Sequence, residues 1–205
     1  MLHLIGAGGH CKVVLDALLC GGADRSGITL RDARRERAGR SVLGVLIVFP
    51  ELDEDLAGHD FHVAIGANEA RARLAEAGLA RGGTLVSVLH PSAAVSPFAV
   101  VGAGAFVGAG AVLGPDAVVG AGALINHGAI VDHDVQIGDH AFVGAGSVLG
   151  GGSSVGQGAW LGPRSVVVSG GRVPAGTILP PGSVVGGESD LFPLPGAASV
   201  AGSRP

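Results

Sequence analysis

The chain has 205 residues and a formal net charge of −4, with 47% hydrophobic and only 15% charged residues. Enough apolar side chains are present to form a core, which excludes a disordered chain, and the negative charge excludes a general affinity for nucleic acid. Glycine is abundant, at 38 residues, but it lacks the every-third-residue repeat and the accompanying proline of collagen.

The cysteine usage and the apolar segments indicate a cytoplasmic protein without a membrane partner. Cys11 and Cys20 are the only cysteines, which is typical of reduced thiols rather than a disulfide framework. The longest strongly apolar run, residues 42–49, is too short to cross a bilayer. The N-terminal segment does not resemble a secretory signal.

Residues 1–90 are predicted to form a Rossmann-like α/β domain, because a strand, a glycine-rich turn and a helix follow one another at its start. The first strand is predicted at Leu2–Ile5, and the turn covers residues 6–10. Asn68 is predicted to cap a second helix that continues to about Ala77. Further strands are predicted at 28–30, 45–49, 61–65 and 84–89.

The glycine-rich turn favours a nucleotide-linked ligand over a dinucleotide cofactor. Gly6 and Gly8 match the first two glycines of the dinucleotide fingerprint, but Cys11 occupies the place of the third. Backbone N–H groups at the start of a helix can still bind a phosphate. The alternative is a tight turn in which glycine serves packing alone.

An arginine-rich segment follows the second predicted strand. Residues 31–40 contain five arginines together with Asp32 and Glu36. A solvated, mobile loop is the preferred interpretation, and a phosphate contact is the alternative.

The C-terminal half repeats with a period of six. Branched aliphatic residues recur at every sixth position, small residues occupy most of the fifth positions, and glycine commonly follows the aliphatic residue. The aliphatic series is Val95, Val101, Val107, Leu113, Val119, Ile125, Val131, Ile137, Val143, Leu149, Val155, Leu161, Val167, Val173, Leu179 and Val185.

This period predicts a parallel β-helix at residues 91–188, followed by a C-terminal tail at 189–205. Three six-residue units form one triangular coil of about 18 residues, and the coils stack about 4.8 Å apart. The aliphatic residues point inward, and the small residues let the walls close around them. No insertion interrupts the repeats, so we expect another part of the chain or a neighbouring subunit to hold the substrate.

Two rows of outward-pointing residues are apolar, which predicts buried interfaces. We expect a cyclic homotrimer packed around the edge that the two rows share; scattered surface aliphatics are the alternative. The first row is Phe106, Leu124, Phe142, Trp160 and Ile178, and the second is Val112, Ile130, Val148, Val166 and Val184.

Three histidines, His127, His133 and His140, lie close together in the repeats. His133 is flanked by aspartates, and a carboxylate from Asp134 would orient its ring and raise its basicity, as a general base requires. Gly151, one coil further along, would offer a backbone N–H group to a developing oxyanion. No two histidines in the repeats are 18 or 36 residues apart, so a shared zinc ion, the rival use of these histidines, is not expected.

Almost the whole chain resembles the bacterial sugar O/N-acetyltransferases of the sialic acid O-acetyltransferase type. The resemblance rests on LIGAGGHCKVV, HVAIGANEARARL, LHPSAAVSP and INHGAIVDHDVQIGD, in that order. It implies a left-handed β-helix and a homotrimer with acetyl-CoA bound between the β-helices of adjacent subunits. It also implies a nucleotide-linked amino sugar, or a related sugar, as the acetyl acceptor.

The resemblance also implies roles for individual residues. His133 would be the general base and Asp134 its partner, while Phe142 and Gly151 would border acetyl-CoA, with Gly151 contacting the thioester carbonyl. Some members carry a histidine where this chain has Phe142, so no side-chain hydrogen bond is expected there. Contacts to the nucleotide sugar are implied for Gly8, Gly9, His10, Asp32, Gly66 and Asn126.

The sequence therefore predicts an acetyl-CoA-dependent acetyltransferase acting on an amine or hydroxyl of a nucleotide-linked sugar. Two departures from the family pattern stand out: Arg31 replaces one of two adjacent acidic residues, and the usual G-x-P-A ending is missing. The alternatives are a non-catalytic nucleotide-sugar-binding scaffold and a zinc-dependent enzyme like the γ-type carbonic anhydrases.

Overall fold

The computed structural model describes residues 1–52 and 56–186, which form an α/β domain followed by a parallel β-helix. The α/β domain contains six strands and two helices in the described residues, with short 3₁₀ turns at Arg25–Gly27 and Arg35–Arg37. Its elements are β1 (Leu2–Ile5), α1 (Gly9–Cys20), β2 (Ile28–Arg31), β3 (Ser41–Val42), β4 (Val45–Val48), β5 (Asp60–Val63), α2 (Asn68–Leu79) and β6 (Thr84–Leu85).

The α/β sheet has the strand order β3-β4-β2-β1-β5-β6, and all of its pairs are parallel except β3 with β4. Its central strand, β1, is buried on both sides, so Leu4 and Ile5 contact different clusters of the core. The turn from β1 to α1 begins at Gly6, which has a φ of +97°. A Cβ atom there would lie 2.5 Å from Ile65 Cγ1, so only glycine fits.

The β-helix confirms the six-residue repeat. Each coil contributes one strand to each of three parallel sheets, and paired residues are 18 apart, as Phe106 with Leu124. We call these sheets face 1 (β7, β10, β13, β16, β19, β22), face 2 (β8, β11, β14, β17, β20, β23) and face 3 (β9, β12, β15, β18, β21).

The two-residue strands of the β-helix have the following bounds. They are β7 (Val88–Leu89), β8 (Ala94–Val95), β9 (Val100–Val101), β10 (Phe106–Val107), β11 (Val112–Leu113), β12 (Val118–Val119), β13 (Leu124–Ile125), β14 (Ile130–Val131), β15 (Gln136–Ile137), β16 (Phe142–Val143), β17 (Val148–Leu149), β18 (Ser154–Val155), β19 (Trp160–Leu161), β20 (Val166–Val167), β21 (Arg172–Val173), β22 (Ile178–Leu179) and β23 (Val184–Val185).

The second residue of each central strand fills the interior of the β-helix. Val107, Ile125, Val143 and Leu161 are fully buried there, together with the small residues of the turns. Aromatic side chains are not needed in this core because a narrow triangular coil is filled by branched aliphatic and small residues.

Two local predictions are wrong. The strand predicted at 84–89 is split, because Val86 N–H donates to Phe61 in the α/β sheet, whereas Val88 N–H donates to Ala105 in the β-helix. Helix α2 has Ala67 at its N-cap without a side-chain cap. Asn68 is the first helical residue, and its Oδ1, the atom that would cap the helix, accepts a hydrogen bond from Arg71.

The first face of the β-helix is covered by the chain's own α/β domain. Phe106 and Leu124 are buried in one cluster with Leu4, Cys11 and Val14, and Phe142 packs against that cluster. The expectation that the first apolar row forms a subunit interface is therefore wrong for these residues, because an intramolecular contact already removes them from water.

The second apolar row remains exposed. On face 2, Val112, Ile130, Val148 and Val184 are 38%, 42%, 36% and 70% exposed. Within the described residues, no helix is both long and apolar enough to cross a membrane. The predicted tail at 189–205 and the last two residues of the predicted β-helix domain lie outside the described residues.

Candidate functional site

A cavity of about 280 Å³ opens at the carboxyl ends of the α/β strands, where open α/β sheets bind their ligands. It brings together five of the predicted substrate-binding residues from three separate parts of the chain. These residues are Gly8, Gly9, His10, Asp32 and Gly66.

Asp32 holds the glycine-rich turn in place while lining this cavity. Its Oδ2 accepts the Ala7 N–H at 3.0 Å, and its Oδ1 accepts from the Arg34 guanidinium at 3.0 Å. Burial alone would raise the pKa of Asp32, but the hydrogen bonds from Arg34 and Ala7 outweigh it and lower the pKa. Asp32 is therefore a carboxylate at neutral pH.

The arginine-rich segment is largely exposed, as a solvated loop would be, but some of its arginines also contact the rest of the α/β domain. Arg37 donates to the Ala7 carbonyl at 2.7 Å and to Asp32 at 3.3 Å. Arg31 is buried and donates to His3 and to the Pro50 carbonyl. Arg34 and Arg37 therefore hold two residues of the cavity wall, Asp32 and Ala7.

His10 presents a neutral ring to the cavity. Its ring packs edge-on against Phe106, with the centroids 5.1 Å apart. Burial is the main reason that its pKa falls to about 3. Nε2 of His10 is buried and has no hydrogen-bond partner among the described residues. A buried polar atom of this kind is costly unless it is paired, so a ligand in the cavity would satisfy it.

His133 and Asp134 form a pair on the edge between face 2 and face 3. Nδ1 of His133 lies 2.7 Å from Asp134 Oδ2. Asp134 has a φ of +59°, a conformation that aspartate adopts more readily than most residues. The hydrogen bond to Asp134 raises the pKa of His133. With Nδ1–H donating to the carboxylate, Nε2 is left as the basic nitrogen.

Gly151 lies directly above the His133 ring in the next coil. A Cβ at this position would be 2.5 Å from His133 Nε2, so the ring occupies the space that a side chain would take. One coil below, the N–H of His133 donates to the side chain of the preceding residue, Asp132. Gly150, which precedes Gly151, has no side chain to accept such a hydrogen bond, and the Gly151 N–H has no acceptor among the described residues. The free N–H and the basic nitrogen are thus neighbours.

Asn126 and Phe142 lie elsewhere. Asn126 is on the edge between face 1 and face 2, where its Oδ1 accepts the His127 N–H. Phe142 stacks on Trp160 on face 1, with the ring centroids 5.5 Å apart. Within one chain, neither residue lies on the edge that carries His133.

The cavity and the histidine pair lie on opposite sides of the β-helix. The α/β domain that contains the cavity packs on face 1, whereas His133 is on the edge between the other two faces. In a triangular coil this edge is the one opposite face 1. One chain alone therefore does not bring the cavity to His133.

The three clustered histidines do not converge on a common point within one chain. His127, His133 and His140 occupy turns on three different edges. Among the described residues, a close group of possible metal ligands is formed by Asp16, Cys20 and His90 instead. Nδ1 of His90 accepts the Ser92 N–H, which leaves the proton on Nε2 and makes that atom a poor metal ligand.

Sequence analysis did not identify Arg71 or Phe106 as part of this region. Arg71 is buried and donates to the Gly66 carbonyl at the cavity wall. A basic residue at the fourth position of a helix looks solvated in the sequence, and no periodicity distinguishes it. Phe106 looked like an interface residue because its partner, His10, is distant along the chain.

Comparisons with known proteins match both parts of the chain. The family model described as the PglD N-terminal domain matches residues 1–77, and the one described as the GMPPB C-terminal domain matches residues 89–187. No match was found among curated proteins.

Several solved structures share the whole architecture. A His-to-Ala mutant of GDP-perosamine N-acetyl transferase from Caulobacter crescentus, in complex with CoA and GDP-perosamine, is 34% identical with a TM-score of 0.69; the match covers 91% of this chain and 93% of that chain. The acetyltransferase domain of PglB from Neisseria gonorrhoeae, in complex with acetyl coenzyme A, is 33% identical with a TM-score of 0.66, over 91% of this chain and 95% of that chain.

Proposed function

Since this chain belongs to the hexapeptide-repeat family of bacterial nucleotide-sugar acetyltransferases, with their left-handed β-helix, we propose that it transfers the acetyl group of acetyl-CoA to an amine of a nucleotide-linked amino sugar. The observation that carries this proposal is the His133–Asp134 pair beside the free N–H of Gly151. The related proteins bind CoA with GDP-perosamine, or acetyl coenzyme A.

The geometry of His133 suits a general base for acyl transfer. Nε2 of His133 would take a proton from the amine as the nitrogen attacks the thioester carbonyl carbon. Asp134 would stabilise the imidazolium that forms, because its carboxylate already accepts the hydrogen bond from Nδ1. The same imidazolium would return the proton to the departing CoA sulfur.

Gly151 would stabilise the negative charge that develops on the carbonyl oxygen. Its N–H is fixed by the backbone of the coil and is free of an acceptor, as an oxyanion contact requires. Acetyl-CoA supplies the activated acyl group. If its thioester oxygen accepts a hydrogen bond from Gly151 N–H, the carbonyl carbon would lie beside His133.

The cavity of the α/β domain is proposed to hold the nucleotide sugar. Gly8 and Gly9 offer backbone N–H groups at the start of α1, which suit the diphosphate. Asp32 offers a carboxylate and His10 a neutral ring with an unpaired nitrogen. These groups can form hydrogen bonds with the hydroxyl and amide groups of a nucleotide sugar and with the edge of its base.

We propose that the complete site forms between subunits of a homotrimer. The cavity of one subunit would face His133 of a neighbour, because the two lie on opposite sides of a single chain. The exposed apolar row on face 2, adjacent to the edge with His133, would provide the subunit contact.

A thiol-release assay tests the proposed reaction. The purified protein is given acetyl-CoA and a panel of UDP-, GDP- and dTDP-linked amino sugars, with the corresponding hydroxyl sugars as controls. We expect CoA release with one amino sugar. Release of CoA only with the hydroxyl sugars would show that the protein acetylates a hydroxyl group instead of an amine. Failure to bind acetyl-CoA by a folded protein would overturn the enzymatic assignment.

A further inference from the structure

Arg71 is a buried cation whose hydrogen-bonding capacity is completely used. It is 2% exposed, and a guanidinium group has five N–H donors in a fixed plane. Each donor can be matched to an oxygen within 3.1 Å. Nε donates to Gly122 O at 2.7 Å, Nη1 to Ile65 O at 3.1 Å and Gly66 O at 2.9 Å, and Nη2 to Asn68 Oδ1 at 2.8 Å and His140 O at 2.8 Å.

The acceptors belong to two different parts of the molecule. Ile65 and Gly66 form part of the cavity wall at the end of β5. Gly122 and His140 lie in successive coils, on the edge of the β-helix between face 3 and face 1. Arg71 therefore connects the wall of the cavity to two coils at once.

Asn68 extends the same connection by one coil. Its amide donates to the Gly158 carbonyl at 2.9 Å and to the Ala159 carbonyl at 3.2 Å, while its oxygen accepts from Arg71. The first turn of α2 is thus hydrogen-bonded to three successive turns on one edge of the β-helix. These contacts fix the position of α2 along the axis of the β-helix (its height) as well as its distance from that axis.

The buried charge of Arg71 is held by hydrogen bonds alone. All the acceptors are neutral, and none of the hydrogen bonds of Arg71 goes to a carboxylate. Burial lowers the pKa of Arg71 to about 10, so the group stays charged at neutral pH. A lysine has only three donors and no planar fork, so it could not reach the same acceptors.

We infer that Arg71 is a positioning residue for the transfer reaction, fixing the Ile65–Gly66 wall of the nucleotide-sugar cavity at a set height on the β-helix. This inference rests on the proposed function. Because the subunits are related by symmetry, the same contact sets where the bound sugar meets His133 of the neighbouring subunit. Loss of the contact lets the cavity wall move while the coils around His133 remain intact.

The test compares Arg71→Lys with Arg73→Lys, a matched control on the exposed side of the same helix. For Arg71→Lys we expect the KM for the nucleotide sugar to rise by about 10- to 100-fold, because the cavity wall that binds it moves and binding is lost in the ground state and the transition state alike. The KM for acetyl-CoA should stay within about twofold and kcat should fall less than the KM rises. Arg73→Lys should leave all three constants unchanged.

A purely structural role gives a different result. It would lower the melting temperature and the fraction of active enzyme, and so reduce the apparent kcat without changing the KM for the nucleotide sugar. That pattern would overturn the inference. Should Arg71→Lys fold poorly, Asn68→Ala tests the same connection, because it removes one acceptor of Arg71 and two contacts to the β-helix. We expect the same split between the constants, at a smaller size.

Direct binding separates failure of this inference from failure of the proposed function. GDP, UDP and dTDP are titrated into the wild-type protein and into Arg71→Lys by calorimetry. Binding to the wild type with a weaker affinity for the variant supports the inference. Equal affinities overturn the inference alone, whereas no binding of any of the three nucleotides to the wild type overturns both.

Discussion

At the scale of single residues, the catalytic proposal depends on three neighbours that contribute different properties. Asp134 supplies orientation and charge, Gly151 supplies space and a free N–H, and His133 supplies the basic nitrogen. Gly151 has a steric reason to be glycine, since the ring of His133 fills the position of its absent Cβ. The same coil geometry repeats elsewhere without this combination, which makes matched control variants available.

His133→Ala should reduce kcat by about 10²- to 10⁴-fold, because proton transfer by a positioned base contributes that much. The matched control is His127→Ala, which removes an exposed histidine from the same repeat position on an adjacent edge. The steady-state rate of CoA release measures both variants. Comparable losses in the two variants, or near-full activity of His133→Ala, would contradict the assignment.

Asp134→Asn should move the acidic limb of the kcat/KM profile to lower pH. The carboxylate raises the pKa of His133 by stabilising its charged form, so removing it lowers that pKa and leaves the neutral base present at lower pH. The rate on the plateau should also fall, because the base is weaker and less well oriented. Asp116→Asn, one coil below and with the same left-handed φ, should leave the profile in place; equal profiles for the wild type and Asp134→Asn would exclude the pair as the titrating group.

At the scale of elements, the α/β domain is anchored to the β-helix by burial of face 1. Leu124 is fully buried beneath α1 and β1, whereas Ile178, three coils further along the same row, is 73% exposed. The same repeat position is therefore buried against the α/β domain in the middle of the row and exposed to solvent at its end. The polar contacts of Arg71 and Asn68 fix the orientation of a domain that these apolar contacts hold in place.

Leu124→Ala should lower the free energy of unfolding by about 2–5 kcal/mol, the usual cost of a large-to-small change in a core. Ile178→Ala, on the same row, should change it by less than about 0.5 kcal/mol because its side chain is exposed. Denaturant unfolding at one fixed protein concentration measures both. Equal effects would mean that the α/β domain does not pack on face 1 as described.

At the scale of the whole molecule, the separation of the cavity from His133 is the decisive feature. Each chain would contribute a complete cavity and a complete histidine pair, but to two different sites. The exposed valines and isoleucine of face 2 lie next to the edge with His133, so the contact that buries them would also assemble the site.

Co-expressed subunits carrying His133→Ala and His10→Ala should recover activity that neither variant has alone. In randomly mixed trimers, about a quarter of the sites would combine an intact cavity from one subunit with an intact His133 from the next. CoA release by the mixed trimers, compared with each variant expressed alone, gives the result. No recovery in trimers shown to contain both subunits would place the whole site within one chain and contradict the intersubunit proposal.

The β-helix, its inward and outward residues, and the proximity of His133, Asp134 and Gly151 could all be predicted from the sequence. These features follow from a repeat of six residues, because backbone geometry converts a local period into a coil and places residues 18 apart on top of one another. The sequence also indicated the glycine-rich turn, since a strand followed by glycines and a helix forms a recognisable local unit.

Three features depend on how the α/β domain packs on the β-helix or on its own sheet: which apolar row is covered, how the arginine-rich segment folds, and what Asn68 and Arg71 contact. The hydrogen bond from Asn68 to Gly158 joins residues 90 positions apart, and no local period encodes such a contact. Asn68 was predicted to be a helix cap because it precedes a helical segment, and nothing in the sequence distinguished Arg71 from the other arginine of that helix. Their partners are turns of the β-helix that come close only after the two parts of the chain have packed together.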